Sequence, residues 1–355
     1  MPDRAITIEL WNVRAPLDPV IHTPRGPVTE TCLLFAFVTD GEGRRGIGYA
    51  SFRRAAEMEA ATNTARDLLA RRTPGLAGLL SIERTDETSG KSSAASRAAA
   101  SALALAAWDL AGKQANVSCA DLWGRPSGRE QLDCYASALW LDKTIDELIT
   151  EAHAHRASGY RHVKMRVSRD LEDNLARIAA VASVYVEPGT IALETGSEWD
   201  ESIANAFLDR CETRLLWVED PAPHAAIHRV KPHAFNTIAA GEKATTASEL
   251  YELQARSGLR NIIIDVQYIG GPMRFLETAR TLSALGATVG GHRFSHYSTH
   301  LLASLPRSLP VELLDWTNPV FRPLVGPDAT GKLNVEGPGK FEVSDAATLL
   351  AQAKA

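Results

Sequence analysis

Cysteine is scarce and scattered. Cys32, Cys119, Cys134 and Cys211 include no pair at metal-ligand spacing, so neither a disulfide framework nor a thiolate zinc site is expected. All four read as reduced, packed thiols of a cytoplasmic protein. Long apolar runs are missing as well. The most apolar stretch, around Ala98 to Gly112, is interrupted by Asp109 and is too short to span a bilayer. Met1 to Val13 carries early charges and lacks the apolar core of a signal peptide. Basic residues are not in excess: 38 Lys and Arg stand against 43 Asp and Glu, a net charge of -5. That balance excludes the electrostatic footprint of a nucleic-acid binder. Neither nucleic acid nor membrane is therefore expected as a partner. Repeats and low-complexity tracts are lacking too, apart from one alanine-rich helix.

What is present suits a two-part α/β protein. The 355 residues, 45% hydrophobic and 23% charged, fit one large domain with a smaller companion. In the first third, Ile6–Trp11, Thr31–Thr39 and Arg45–Ser51 read as strands, with a turn at Asp40-Gly41-Glu42-Gly43. Helical patterns follow at Ala55–Ala70 and Ser93–Gln114. From Leu132 short apolar runs alternate with amphipathic stretches. The strand candidates are Leu132–Ala136, His162–Arg166, Thr190–Glu194, Leu215–Glu219, Thr237–Glu242, Asn261–Asp265, Thr288–His292 and Pro310–Leu313. Helical periods are expected in every gap between them, Ile145, Leu148, Ile149 and Ala152 forming one such stripe. Eight strands separated by helices call for a (β/α) barrel. The expected division is an α+β capping domain over 1–128, a barrel over 129–321, and a Gly- and Pro-rich tail over 322–355. The tail should end in a short helix and pack back on the capping domain.

Ionisable residues recur at the strand ends: Arg166, Glu194, Glu219, Glu242, Asp265 and His292, spaced 23 to 28 residues apart, then Glu312 near the end of the eighth strand. Strand C-termini of a barrel converge on one mouth, where active sites sit. Singly, each acid would be read as a solvated strand end. Glu194, Glu219 and Glu242 in register would repel one another without a cation between them. Hard oxygen donors without histidine favour Mg²⁺, with Mn²⁺ as a substitute. Asp265 and His292 fall on neighbouring strands, where a carboxylate on one imidazole nitrogen makes the other a general base. His153, His155, His228 and His233 read as structural. A barrel metallohydrolase would want His-x-His on the first strand, and Cys134-Tyr135-Ala136-Ser137 offers none.

At this point the chain resembles the mandelate racemase branch of the enolase superfamily. The resemblance rests on Ala107-Trp108-Asp109-Leu110-Ala111-Gly112-Lys113 with Leu122-Trp123-Gly124, on Lys164-Met165-Arg166, on Trp217-Val218-Glu219-Asp220-Pro221 and on Ala240-Gly241-Glu242. It also rests on Asp265 before Gly270-Gly271, on His292 before Thr299-His300-Leu301-Leu302-Ala303, and on Glu312. It implies a modified (β/α)7β barrel with a capping domain, and Mg²⁺ on Glu194, Glu219 and Glu242. The ion would stabilise the enediolate formed when an α-proton leaves a small carboxylate substrate. Lys164 would add charge beside that carboxylate, and a protonated Glu312 would donate to its other oxygen. Two capping loops are implied over the mouth, Pro19–Thr29 with His22 and Arg25, and Ser51–Ala55 with Phe52 and Arg53. A homo-oligomer is expected.

Three positions depart from the family pattern. Glu194 stands where Asp is usual, with Gly196 in place of Asn, and Arg166 replaces a lysine that acts as a base. Arginine stays protonated, leaving His292 as the evident base. Dehydration of an aldonate or aldarate to a 2-keto-3-deoxy acid is therefore expected, ahead of racemisation, epimerisation or cycloisomerisation. A non-catalytic sugar-acid binding protein is the reading outside enzymology.

Overall fold

The computed structural model describes residues 6–23, 26–71, 75–84, 93–314, 321–322, 326–335 and 342–343. The capping domain begins with an antiparallel sheet in the order β1 (Thr7–Thr23), β2 (Gly26–Thr39), β3 (Arg45–Phe52). Helices α1 (Ala55–Ala70), α2 (Leu76–Leu80), α3 (Ala94–Ala115) and α4 (Cys119–Leu122) follow. Helix α3 starts at Ser93, whose side chain accepts the Ser96 N–H, and stops at Asn116 in the left-handed conformation. It lies directly on β3 because that strand reads Gly-x-Gly. A Cβ at Gly46 would overlap the Ala106 carbonyl oxygen, and one at Gly48 that of Ala102. Alanine on the helix and glycine on the strand let the two backbones approach closely.

The expected loop Pro19–Thr29 is instead part of a long hairpin. Pairing runs from Thr7↔Thr39 to Thr23↔Gly26, with a register shift between Pro16 and Ile21. Period-two burial marks the strand: Val13, Ala15 and Leu17 are buried, Arg14 and Pro16 exposed. The strand contains Pro16 and Pro19, which β1 tolerates because it is an edge strand and can lack an N–H. Leu17, Ile21 and Val28 pack with Trp140 and Leu314 of the barrel, which brings the hairpin over the mouth.

The barrel strands are β4 (Gln131–Ser137), β5 (His162–Arg166), β6 (Ile191–Glu194), β7 (Trp217–Glu219), β8 (Ile238–Ala240), β9 (Asn261–Asp265), β10 (Thr288–His292) and β11 (Val311–Leu313). They run in the order β10-β9-β8-β7-β6-β5-β4-β11, with every neighbouring pair parallel. Helices α5 (Ile145–Ala157), α6 (Leu171–Ala182), α7 (Glu201–Arg210), α8 (Ala247–Ser257), the short α9 (Val266–Ile269), α10 (Pro272–Ala284) and α11 (Ser295–Ala303) complete the units. One expected helix is missing: between β7 and β8 the described chain forms only a 3-10 turn at Ile227–Arg229. Pro221, Pro223 and Pro232 break that segment.

In the tail, β12 (Phe321–Arg322) pairs with β14 (Glu342–Val343). Between them β13 (Lys332–Asn334) pairs antiparallel with Gln131–Asp133 at the start of β4. The described tail strand β13 therefore docks on the foot of the barrel rather than on the capping domain. The expected terminal helix lies outside the described residues. No helix among the described residues is long and apolar enough to cross a membrane, and all four cysteines are buried free thiols.

Candidate active site

Parallel register carries the acids to one level. Arg166 pairs with Glu194 across β5–β6, and Glu194 with Glu219 across β6–β7. Glu242 follows β8 after Gly241, whose φ of 130° and Cβ position only 2.6 Å from the Ile263 carbonyl oxygen require glycine. Glu194, Glu219 and Glu242 are all buried, and ligand oxygens from the three lie within 4.8 Å of one another. Burial, reinforced by Glu194, Glu312 and Glu242, pushes the Glu219 carboxyl well above its usual range although Lys164 opposes this. A cluster of hard oxygen donors that repel each other fits a divalent cation such as Mg²⁺. The extra methylene of Glu194 is taken up locally: its Oε1 accepts the Gly196 N–H at 2.6 Å.

Lys164 is 1% exposed. Its Nζ lies 2.7 Å from Glu312 Oε1, 3.1 Å from both Glu219 oxygens and 3.5 Å from Glu194 Oε2. Glu312 also accepts from Ser137 Oγ and from the Arg293 N–H, each at 2.7 Å. The expected protonated Glu312 is corrected by this setting. Burial disfavours its charge, but Lys164, His292 and Arg166 outweigh burial and hold the carboxyl below its usual range. Glu312 is an acceptor here, not a donor.

Asp265 and His292 are register partners at the ends of β9 and β10. Asp265 Oδ2 lies 2.8 Å from His292 Nδ1, while Oδ1 accepts the N–H groups of Gln267 and Tyr268 at 2.8 and 2.9 Å as the N-cap of α9. His292 Nε2 is 3.0 Å from Glu242 Oε2, so the second ring nitrogen faces the carboxylate trio. Burial lowers the imidazole's affinity for a proton, but Glu242 and Asp265 raise it above the usual value overall.

Lys164, Glu194, Glu242, His292 and Glu312 line a cavity of about 140 Å³ together with Thr23, Arg53, Trp140, Lys243 and Arg293. Arg166 also lines it, with its guanidinium 4.0 Å from the centre of the Trp140 ring and Nη1 donating to the Ala138 and Lys164 carbonyls at 3.3 and 3.4 Å. From the capping domain Arg53 reaches the cavity. Phe52 does not: it packs against the capping-domain core. His22 sits on β1 with its carbonyl accepting the Leu141 N–H at 3.4 Å, and its ring is not part of the lining. Arg25 lies outside the described residues. Sequence reasoning missed Arg293, whose Nη2 is 2.9 Å from Asp265 Oδ2. It also missed Lys243. Both directly follow an assigned residue, and the left-handed backbone of Arg293 and Phe294 (φ 53° and 50°), which turns the arginine toward Asp265, leaves no sequence signal.

With this geometry in place, relatives are informative. Residues 5–124 match the family described as Mandelate racemase / muconate lactonizing enzyme, N-terminal domain, and residues 147–346 match Enolase C-terminal domain-like. The chain is 24% identical over 305 residues to L-talarate/galactarate dehydratase of Salmonella typhimurium, covering 83% of this chain and 76% of that protein. It is 27% identical over 220 residues to 3,6-anhydro-alpha-L-galactonate cycloisomerase of Streptomyces coelicolor, 60% of each chain. The crystal structure of L-talarate dehydratase from Polaromonas sp. JS666, complexed with Mg and L-glucarate, superposes with a TM-score of 0.87 at 25% identity, covering 97% of this chain and 96% of that one. Capping domain and barrel thus each match the same lineage, and the chain is a member of the mandelate racemase/muconate lactonizing enzyme family of the enolase superfamily.

Proposed function

We propose that the protein is an acid-sugar dehydratase that converts an aldonate or aldarate to a 2-keto-3-deoxy acid. One observation carries the choice of reaction. A single imidazole, His292, is set up as a base by Asp265, whereas Arg166 on β5 is a guanidinium stacked on Trp140. Mg²⁺ held by Glu194, Glu219 and Glu242 would supply the positive charge that stabilises the substrate carboxylate as its α-proton leaves. The remaining work falls to side chains. Asp265 keeps the proton on Nδ1 and leaves Nε2 to take the α-proton. Lys164, kept charged by Glu219 and Glu312 against the cost of burial, places a cation beside the negative charge that develops. His292, now protonated, returns that proton to the departing β-hydroxyl, so water leaves and the resulting enol ketonises. A guanidinium is a poor base, so Arg166 exchanges no proton on its side of the substrate.

Named relatives support this reading, including the talarate/galactarate enzyme above and arabinonate dehydratase of Saccharolobus solfataricus, 22% identical over 200 residues. A second reading, isomerisation within the same family, is favoured by the likeness to the cycloisomerase. Racemisation or epimerisation would need a second base, and Lys164 is the residue to test. Incubating both epimers of a substrate found by screening aldonic and aldaric acids, in D₂O, with wild type and His292→Asn separates the readings. Dehydration predicts keto product, retention at the α-carbon of recovered substrate, and no α-proton exchange by the variant. Epimer formation by wild type without keto product would overturn the dehydratase assignment.

A further inference from the structure

The residues just beyond each carboxylate of the trio meet one another. Glu194 is followed by Thr195, Gly196 and Ser197, Glu219 by Asp220, and Glu242 by Lys243. Lys243 Nζ donates to the Gly196 carbonyl at 2.9 Å and to Ser197 Oγ at 2.5 Å, and lies 3.3 Å from Asp220 Oδ2. Asp220 is fully buried; its carbonyl accepts the Ser197 N–H at 3.1 Å and Thr195 Oγ1 at 2.5 Å. Gly196, Ser197 and Asp220 all have left-handed backbones, with φ of 66°, 65° and 47°. Such geometry at Ser197 and Asp220 carries strain that persists only when the surroundings impose it. The turn held this way is the one whose Gly196 N–H fixes Glu194 Oε1.

We propose that Lys243 is a positioning residue for the carboxylate trio. By clamping the Gly196–Ser197 turn to Asp220, it ties the chain behind all three strand ends together and keeps Glu194 directed at Glu219 and Glu242. Where a side chain two residues after the first ligand would stiffen this turn, glycine cannot, and a lysine from the strand end after next does it instead. The inference rests on the reading that the trio binds a divalent cation. It assigns Lys243 to the support of that site rather than to substrate contact, although Lys243 also borders the cavity.

The test is calorimetric titration of the full chain with MgCl₂, alongside urea midpoints, for wild type, Lys243→Met and Lys243→Met/Asp220→Asn. Lys243→Met should weaken Mg²⁺ binding by about 10- to 100-fold, the usual loss when support behind a metal ligand is removed. The double variant removes the unpaired buried carboxylate, so it should regain stability and still bind Mg²⁺ weakly. Wild-type affinity in the double variant would overturn the proposal, because the single variant's defect would then belong to Asp220. Unchanged or tighter Mg²⁺ binding by Lys243→Met would overturn it too, as would unchanged binding with a raised KM for the acid, which would mark a substrate contact. Failure of wild type to bind Mg²⁺ would instead sink the metal-site reading itself.

Discussion

In the proposed reaction His292 is the base, and its environment sets what substitution should do. Asparagine keeps the side chain polar but offers no basic nitrogen, so His292→Asn should cost at least about 10²–10⁴ in kcat, the usual worth of a positioned acid–base group. Asp265→Asn should cost less, since Nε2 remains, though Asp265 also caps α9 and anchors Arg293. Steady-state kinetics beside near-UV circular dichroism would check both, and full activity of His292→Asn would remove the base assignment. Glu219→Gln addresses the trio. It replaces a ligand oxygen by an amide nitrogen in a group that Lys164 contacts through both oxygens, and should weaken Mg²⁺ binding and abolish turnover while the fold persists. Calorimetry and chelator titration read this out; turnover by metal-free protein in excess chelator would refute the metal-assisted mechanism.

At the scale of elements, the mouth is built by strand register below and the β1–β2 hairpin above. Arg53, just beyond β3, is a capping-domain cation that reaches the cavity. Arg53→Ala should raise KM for the acid more than it lowers kcat, which initial-rate kinetics would show. Equal losses in kcat and kcat/KM, with KM unchanged, would place Arg53 in the chemical step. The seam between β3 and α3 makes a separate prediction about stability. Gly48→Ala drives a methyl into the Ala102 carbonyl, and overpacking of this kind costs about 1–3 kcal/mol. A urea midpoint unchanged from wild type would show that the helix shifts freely.

The whole molecule depends on how the capping domain is fastened to the barrel. Ser51 and Gln267 exchange two hydrogen bonds, at 2.8 and 3.1 Å. Glu83 is 2% exposed and accepts the Met273 and Arg274 N–H groups at the start of α10, each at 3.0 Å. Burial raises its pKa to about 7 although those N–H groups and the Arg274 side chain oppose this. A carboxyl with a raised folded-state pKa contributes stability while protonated. That contribution is complete below the unfolded value and is lost as pH rises through the folded one. Relative to Glu83→Gln, wild type should therefore lose stability between about pH 4.5 and about pH 7. Urea midpoints measured across that range check it, and a wild-type-minus-variant difference that does not change with pH would refute it.

Residues with a period or a strand-end position were legible without coordinates. Barrel strands alternate with helical stripes because each must bury a face, and Glu194, Glu219, Glu242, Asp265 and His292 repeat once per strand–helix unit because register then makes them neighbours. The β1–β2 hairpin was obscured by Pro16 and Pro19, whose tolerance depends on β1 being an edge strand, a fact of the assembled sheet. The gap between β7 and β8 carried prolines but no statement of what replaces a helix. The charge on Glu312 was decided by tertiary structure alone, because ionisation depends on Lys164 arriving from another strand at 2.7 Å. Arg293 and Lys243 were hidden for a related reason: left-handed turns behind His292 and Glu194 bring distant polar groups into reach, and no local pattern encodes that. Sequence by itself determined which chemistry-bearing residues stand at the strand ends, since periodic burial is a local property. Only the folded molecule decided that Lys164 meets Glu312 and that Lys243 and Arg293 reach Asp220 and Asp265, since these follow from distances between segments far apart in the chain.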